Sequence, residues 1–203
     1  MDGNRGSVRM LRPITYSFND ETLSVDDAIK IYYRNVQGES LSPELFPPAI
    51  FPAGHSKTNY IKLPHLFFAN CFWVVSGEVA DVMARFDLGE GHLYPTNVVR
   101  KDRKTPIGDR WFCFNFGNVK DTLVAEQSRS IRRLASEAID IWRPPFDFEG
   151  DDQLALSAAA LEGLDIWIEA RLKETFFVSD RLRQALKAAR LAGPFGFQRC
   201  RIV

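Results

Sequence analysis

The sequence is poor in the residues that do chemistry. Its 203 residues include three cysteines and three histidines. Cys71, Cys113 and Cys200 form no C-x-x-C pair and no even set for a disulfide framework, which points to free, buried thiols in a reducing compartment. His55, His65 and His92 include no pair at helical i, i+4 spacing and adjoin no cysteine cluster, so neither a metal site nor a cofactor is expected. An excess of one charge is also missing: Lys+Arg and Asp+Glu are both 26. No bulk field is left to gather nucleic acid or hold a membrane surface. Met1–Phe18 has no apolar core of signal-peptide length, and no apolar run reaches the roughly 20 residues that span a bilayer. These absences imply a soluble, cytoplasmic protein with neither nucleic acid nor membrane as partner, and they leave its oligomeric state open.

Aromatic residues are abundant, with sixteen phenylalanines and four tryptophans, enough for an aromatic-rich core. The most informative stretch is Phe72–Val99, because a weaker copy returns at Phe176–Ile202. Each runs from an apolar strand through a serine and an acidic first turn into an amphipathic helix, a small-residue break and a second strand. Placing Ser76 on Ser179, an offset of 103, brings Val75 onto Val178, Val79 onto Leu182, Met83 onto Leu186 and Leu88 onto Leu191. Both serines stand where a helix N-cap belongs, and Glu78 and Asp180 put negative charge in the first turn. No histidine or acid stands near either serine at a recognisable spacing, so capping is preferred to nucleophilic chemistry.

Earlier in the chain, Ser24 opens a helix over Val25–Asn35, with Val25, Ala28, Ile29, Tyr32 and Tyr33 as its apolar face. The proline-punctuated run Ser42–Gly54 reads as an arm without regular structure, draped over the core by Leu45, Phe46, Ile50 and Phe51 or serving as a linker. Tyr60–Ala69 reads as extended chain or a turn of helix. Leu93–Arg100 and Arg110–Phe116 read as an antiparallel hairpin with a long polar loop. Asp121–Trp142 fits either a helical period or a strand running into a turn. Leu154–Glu174 has helix-favouring composition, with Leu164–Ile168 as a buried extended alternative. The expected class is α+β, with mixed or antiparallel sheets and two related strand–helix–strand units around residues 72–99 and 176–202. Residues 1–60 are expected to pack as an N-terminal strand, helix and proline-rich arm on an α+β domain of residues 61–203.

Several local patterns invite a catalytic or binding role and are better explained otherwise. Ala53–Thr58, AGHSKT, lacks the final glycine of a nucleophile elbow and follows Pro52. The loop Arg100–Arg110 interleaves its cations with Asp102 and Asp109. Gly89 and Gly91 follow a helix instead of opening one, which suits helix termination. The acidic stretch Asp147, Glu149, Asp151 and Asp152 is a candidate surface for a basic partner protein. Catalytic and metal-binding residues are expected to be absent.

VVSGEVADVM followed by LGEGHLYP, then GDRWFCFNF, KDTLVAEQS, LEGLDIW and FFVSDRLRQAL, together resemble the immunity-protein family numbered eleven among bacterial polymorphic toxin systems. The resemblance covers Phe67–Val203. It implies a non-enzymatic protein that binds a cognate secreted toxin and blocks it by covering the active site. With a basic nuclease as target, Asp147–Asp152 would be the steering surface; with a lipase or peptidase, the proline-rich arm would be. Two alternatives remain: a small serine hydrolase or transferase using Ser56 or Ser128 with a histidine supplied by the fold, and a non-enzymatic interaction module of a larger assembly.

Overall fold

The computed structural model describes residues 8–10, 15–16, 18–20, 22–53, 60, 62–134, 140–144 and 150–203. In chain order they form β1 (Val8–Met10), β2 (Thr15–Tyr16), β3 (Phe18–Asn19), α1 (Val25–Val36), β4 (Ala49–Pro52), β5 (Leu66–Ala69), β6 (Phe72–Ser76), α2 (Gly77–Met83), β7 (His92–Val98) and β8 (Trp111–Asn115). The second half holds β9 (Val119–Lys120), β10 (Arg132–Arg133), β11 (Trp142–Arg143), β12 (Ala155–Leu156), β13 (Ile166–Glu169), β14 (Phe176–Ser179), α3 (Asp180–Ala188) and β15 (Gln198–Ile202). Three helices and mixed sheets give the expected α+β class, and both strand–helix–strand units are present.

The strand order of the first half is β2-β5-β6-β8-β7-β4-β3. β2 and β3 are the two ends of a single stretch, Thr15–Asn19. Tyr16 pairs with Ala69 at one edge of the sheet and Asn19 with Phe51 at the other. The ladder therefore closes on itself as a small barrel, which removes both exposed edges. The β2–β5 and β4–β7 pairs are parallel, and the others are antiparallel. The second half has the order β12-β15-β1-β14-β13-β9. Chain leaving β9 bridges back to β12 through Leu123 and Leu156. Val124 N donates to Ala155 O at 2.9 Å and Ser157 N to Thr122 O at 2.8 Å, so this sheet closes in the same way.

Alternation of side chains along the strands divides the apolar residues among three cores. Phe18, Ile50, Phe67, Phe72, Val74 and Cys113 fill the first barrel together with Ala28 and Ile31 of α1. Leu123, Leu156, Trp167, Phe177 and Cys200 fill the second. The remaining core lies between the barrels: Trp73, Val75 and Phe114 from one, Ile166, Phe176 and Val178 from the other, and the apolar faces of α2 and α3. There Trp73 meets Phe176 edge to face with ring centroids 4.7 Å apart. Asn35 adds a buried polar tie, donating to Phe114 O at 2.9 Å and accepting from Phe116 N at 2.9 Å, and so fixes α1 to the end of β8.

Several sequence expectations need correction. The arm around Pro47 and Pro48 does form a strand, β4, because its prolines fall where few ladder donors are lost. Phe46, Ile50 and Phe51 are buried, as draping required. Helix α1 buries Ala28, Ile31, Asn35 and Val36, whereas Val25, at 72% exposure, Ile29 and Tyr33 face outward. Leu154–Glu174 holds two strands and a short 3-10 turn instead of a helix, since Gly163 adopts φ +66° and Ile166–Glu169 is buried on both faces. Arg132–Arg133 pairs with Trp142–Arg143, which favours the extended alternative for that stretch. Gly89 does not end α2, which stops at Met83. With φ +53°, it lies where a Cβ would collide with Asn118 and Leu164.

Glu169, 1% exposed, holds the closure of the second barrel. Its carboxylate accepts from Thr122 N at 3.0 and 3.1 Å and from Thr122 Oγ1 at 2.7 Å. Burial pushes this carboxyl above the ordinary glutamate range, against the opposing pull of the Thr122, Leu123 and Arg171 donors. A raised folded-state pKa means that Glu169's stabilising contribution is complete below the unfolded value and is lost as pH rises through the folded value. Glu169→Gln turns an amide NH2 toward donors and should cost about 1–3 kcal/mol. Urea melts from about pH 4 to about pH 7 should show the wild-type margin over the variant narrowing as pH rises.

Candidate functional site

A cleft of about 270 Å3 opens where β6 passes into α2, with His65, Ser76, Glu78, Arg110 and Trp111 in its lining. The hairpin of β5 and β6 builds it. Asn70 and Cys71, at φ +47° and +68°, make a two-residue turn of the primed type, which matches the twist of the strands it joins. That turn sets His65 opposite Ser76. Ser76 N donates to His65 O at 2.9 Å, His65 Nδ1 lies 2.9 Å from Ser76 Oγ, and Glu78 Oε2 is 3.9 Å from the same nitrogen. A histidine and an acid do therefore accompany Ser76, contrary to the sequence reading. The missed signal was the Asn70–Cys71 turn, which makes residues 65 and 76 cross-strand neighbours.

The grouping has the members of a hydrolytic triad without its connectivity. A triad places serine on one imidazole nitrogen and acid on the other, so that a proton can pass through the ring. Here Nδ1 faces both. Ser76 Oγ also accepts from Val79 N at 3.4 Å as the N-cap of α2, and Ser76 is 3% exposed. The Glu78 carboxyl is held below its ordinary range, first by its own backbone N–H and then by the Ser76 hydroxyl. Ser76 Oγ is thus shared among the Val79 amide, the His65 ring and the Glu78 carboxylate.

The second barrel holds the counterpart of this grouping. Asp165 stands there in the place of His65, and Arg181 in the place of Glu78. Ser179 N donates to Asp165 O at 2.9 Å, Ser179 Oγ donates to Asp165 Oδ1, and Arg181 reaches both Asp165 oxygens at 3.0 Å. Ser179 Oγ accepts from Leu182 N at 3.2 Å. What the copies share is a serine capping a helix, with the residue opposite it on the neighbouring strand and the second residue of the helix as its polar neighbours. Asp165 additionally accepts from Asp87 N at 3.0 Å, tying the loop after α2 to the second barrel.

The other sequence candidates do not converge on this cleft. Asp147 and Glu149 lie outside the described residues, as do His55 and Ser56. Asp152 forms an ion pair with Arg199, whose backbone N–H donates to Asp151 at 2.8 Å. Ser128 accepts from Ala155 N at 2.9 Å and donates to Val124 O at 2.9 Å, both backbone ties within the second barrel. In the loop between β7 and β8, Arg103 covers the Phe51 ring at 4.3 Å and Arg110 pairs with Asp81. Asp102 is brought down to about 2 by Thr105 and by the Thr105 and Lys104 amides. These charges shape the loop and tie it to β4 and α2. In the proline-rich arm Phe46, Ile50 and Phe51 are buried and Leu45 is partly buried.

A model described as "Immunity protein family (Imm11)" matches residues 43–201. Its span takes in β4 to β15 and both serine-capped helices. No curated protein matches the chain. No helix among the described residues is long and apolar enough to cross a membrane.

If the serines are caps, Ser76→Ala and Ser179→Ala should each lower stability by about 1 kcal/mol. Thermal or urea melts of the two single variants check this, and equal losses are expected although their neighbouring charges differ.

Proposed function

The chain belongs to the Imm11 immunity protein family, and on that premise we propose that it binds a cognate secreted bacterial toxin and neutralises it by covering the toxin's active site. The family match over residues 43–201 carries this reading. Inhibition is stoichiometric and non-enzymatic, which agrees with Ser76, His65 and Glu78 serving as a helix cap. The partner is met in the cytoplasm. Two closed barrels sharing a core provide a preformed surface, and an interface of standard size, on the order of 1,600 Å2, suffices for tight inhibition. Within it, Asp147, Glu149, Asp151 and Asp152 form the steering edge toward a basic toxin. Arg199 anchors the Asp151–Asp152 end.

The direct test is co-expression with the toxin domain encoded beside this gene. Rescue of growth and a stable complex on gel filtration are expected, and absence of both would sink the proposal. Ser76→Ala should rescue as well as wild type; a folded variant that fails to rescue would favour a hydrolase. Against a basic toxin, Asp147→Lys combined with Glu149→Lys should reduce kon about tenfold at low salt with little change in koff, measurable by stopped flow.

A further inference from the structure

The two barrels correspond strand for strand, with one exception in chain order. β2 lies parallel to β5 with Tyr16 opposite Ala69, as β9 lies parallel to β13 with Lys120 opposite Glu169. β4 lies parallel to β7 with Ile50 opposite Val98, as β12 lies parallel to β15 with Leu156 opposite Ile202. In the first barrel the strand between β6 and β7 is β8, which follows β7 directly in sequence. In the second, the strand between β14 and β15 is β1, from the opposite end of the sequence.

The register shows that β1 stands in for β8. Ser76, Val75 and Val74 face Trp111, Phe112 and Cys113, while Ser179, Val178 and Phe177 face Val8, Arg9 and Met10. On the other side, Tyr94 and Thr96 face Cys113 and Trp111, while Gln198 and Cys200 face Met10 and Val8. Both strands are antiparallel to both neighbours. α3 packs on β14 and β1 as α2 packs on β6 and β8.

We infer that the gap between β14 and β15 is a strand-acceptor site, and that residues 8–10 occupy it in cis as the transposed counterpart of β8. A three-residue strand between two partners has all its backbone groups committed to the ladder, so its removal opens two edges at once. Val8 also lies opposite Cys200, three residues before Val203. A hairpin from β15 into β1 would therefore restore in the second barrel the connectivity that the first barrel has between β7 and β8.

Two experiments test the inference. In hydrogen exchange on the full chain, the amides of residues 8–10 should be protected to within about tenfold of those in β14 and β15. Exchange at 8–10 near the free-peptide rate, with β14 and β15 still protected, would overturn it. The second is a circular permutant in which residues 1–14 are moved behind Val203 through a short Gly/Ser linker. It should melt cooperatively within about 5 °C of the parent, and adding Arg9→Pro should take its melting temperature below that range by removing one ladder donor, whichever neighbour it faces. A permutant that melts well with or without Arg9→Pro would show the gap needs no strand and would overturn the inference. If the permutant does not fold, the exchange result on the parent decides alone.

Discussion

The contact between Trp73 and Phe176 is the constraint on which the molecule is arranged. The two residues occupy the same position in the two barrels, and they touch each other. Equivalent positions meet only where two copies face each other across a two-fold relation, as in an isologous dimer. The core around that contact draws on both barrels and both serine-capped helices. A barrel of this size alone has a small interior, and a small fold buries too little surface to be secure. Turning the outer faces of β6 and β14 toward each other adds a third core. This explains why β6 is buried along its whole length and does not alternate between core and solvent.

The same architecture governs how the cap clusters should be understood. Each copy needs its helix started at one place, because α2 and α3 carry the apolar faces that fill the shared core. A serine hydroxyl does that in both. The partner beside each serine was free to differ, and it did: histidine and glutamate in one barrel, aspartate and arginine in the other. The serine and its bond to the helix amide persist while both of its polar neighbours change. The capping geometry is therefore the retained element, and the resemblance of Ser76, His65 and Glu78 to a triad follows from hairpin register.

Much of this was legible before any coordinates. The duplicated stretches around Ser76 and Ser179 announce themselves by matched apolar spacing and a shared cap, both local signals. The second strand of each unit was also readable, although its true equivalence slips by one residue from the offset of 103, Tyr94 matching Gln198 in register. What could not be read were consequences of distant pairing. Pro47 and Pro48 look like breakers, yet the neighbouring chain is held as a strand by β7 and β3 on either side. Ala158–Leu161 looks helical in isolation, but flanking strands are claimed by the second barrel. Val25, Ile29 and Tyr33 share an apolar helical face with Ala28, and periodicity alone could not say which edge of it would meet the barrel. His65 was overlooked for the same reason: its partnership with Ser76 depends on the Asn70–Cys71 turn, and cysteine is an unusual residue at a left-handed turn position where glycine is the familiar marker.

Duplication also narrows where recognition of a partner can reside. Residues repeated in both barrels are occupied with closing ladders, capping helices and filling the three cores. Their chemistry answers to folding, as Ser76 and Ser179 illustrate with hydroxyl groups spent on helix caps. Specificity for one toxin over another needs positions that folding leaves free to vary, since discrimination is a difference of affinities set by individual contacts. Such positions are found where the copies diverge. Helix α1 belongs to the first barrel, whereas the second half carries the β10–β11 pair at the corresponding stage of the chain. Asp151 and Asp152, between β11 and β12, are tied to Arg199 of β15 at the rim of the second barrel. Substitution in these divergent places leaves Ser76, Ser179, Trp73 and Phe176, and with them the scaffold, unchanged.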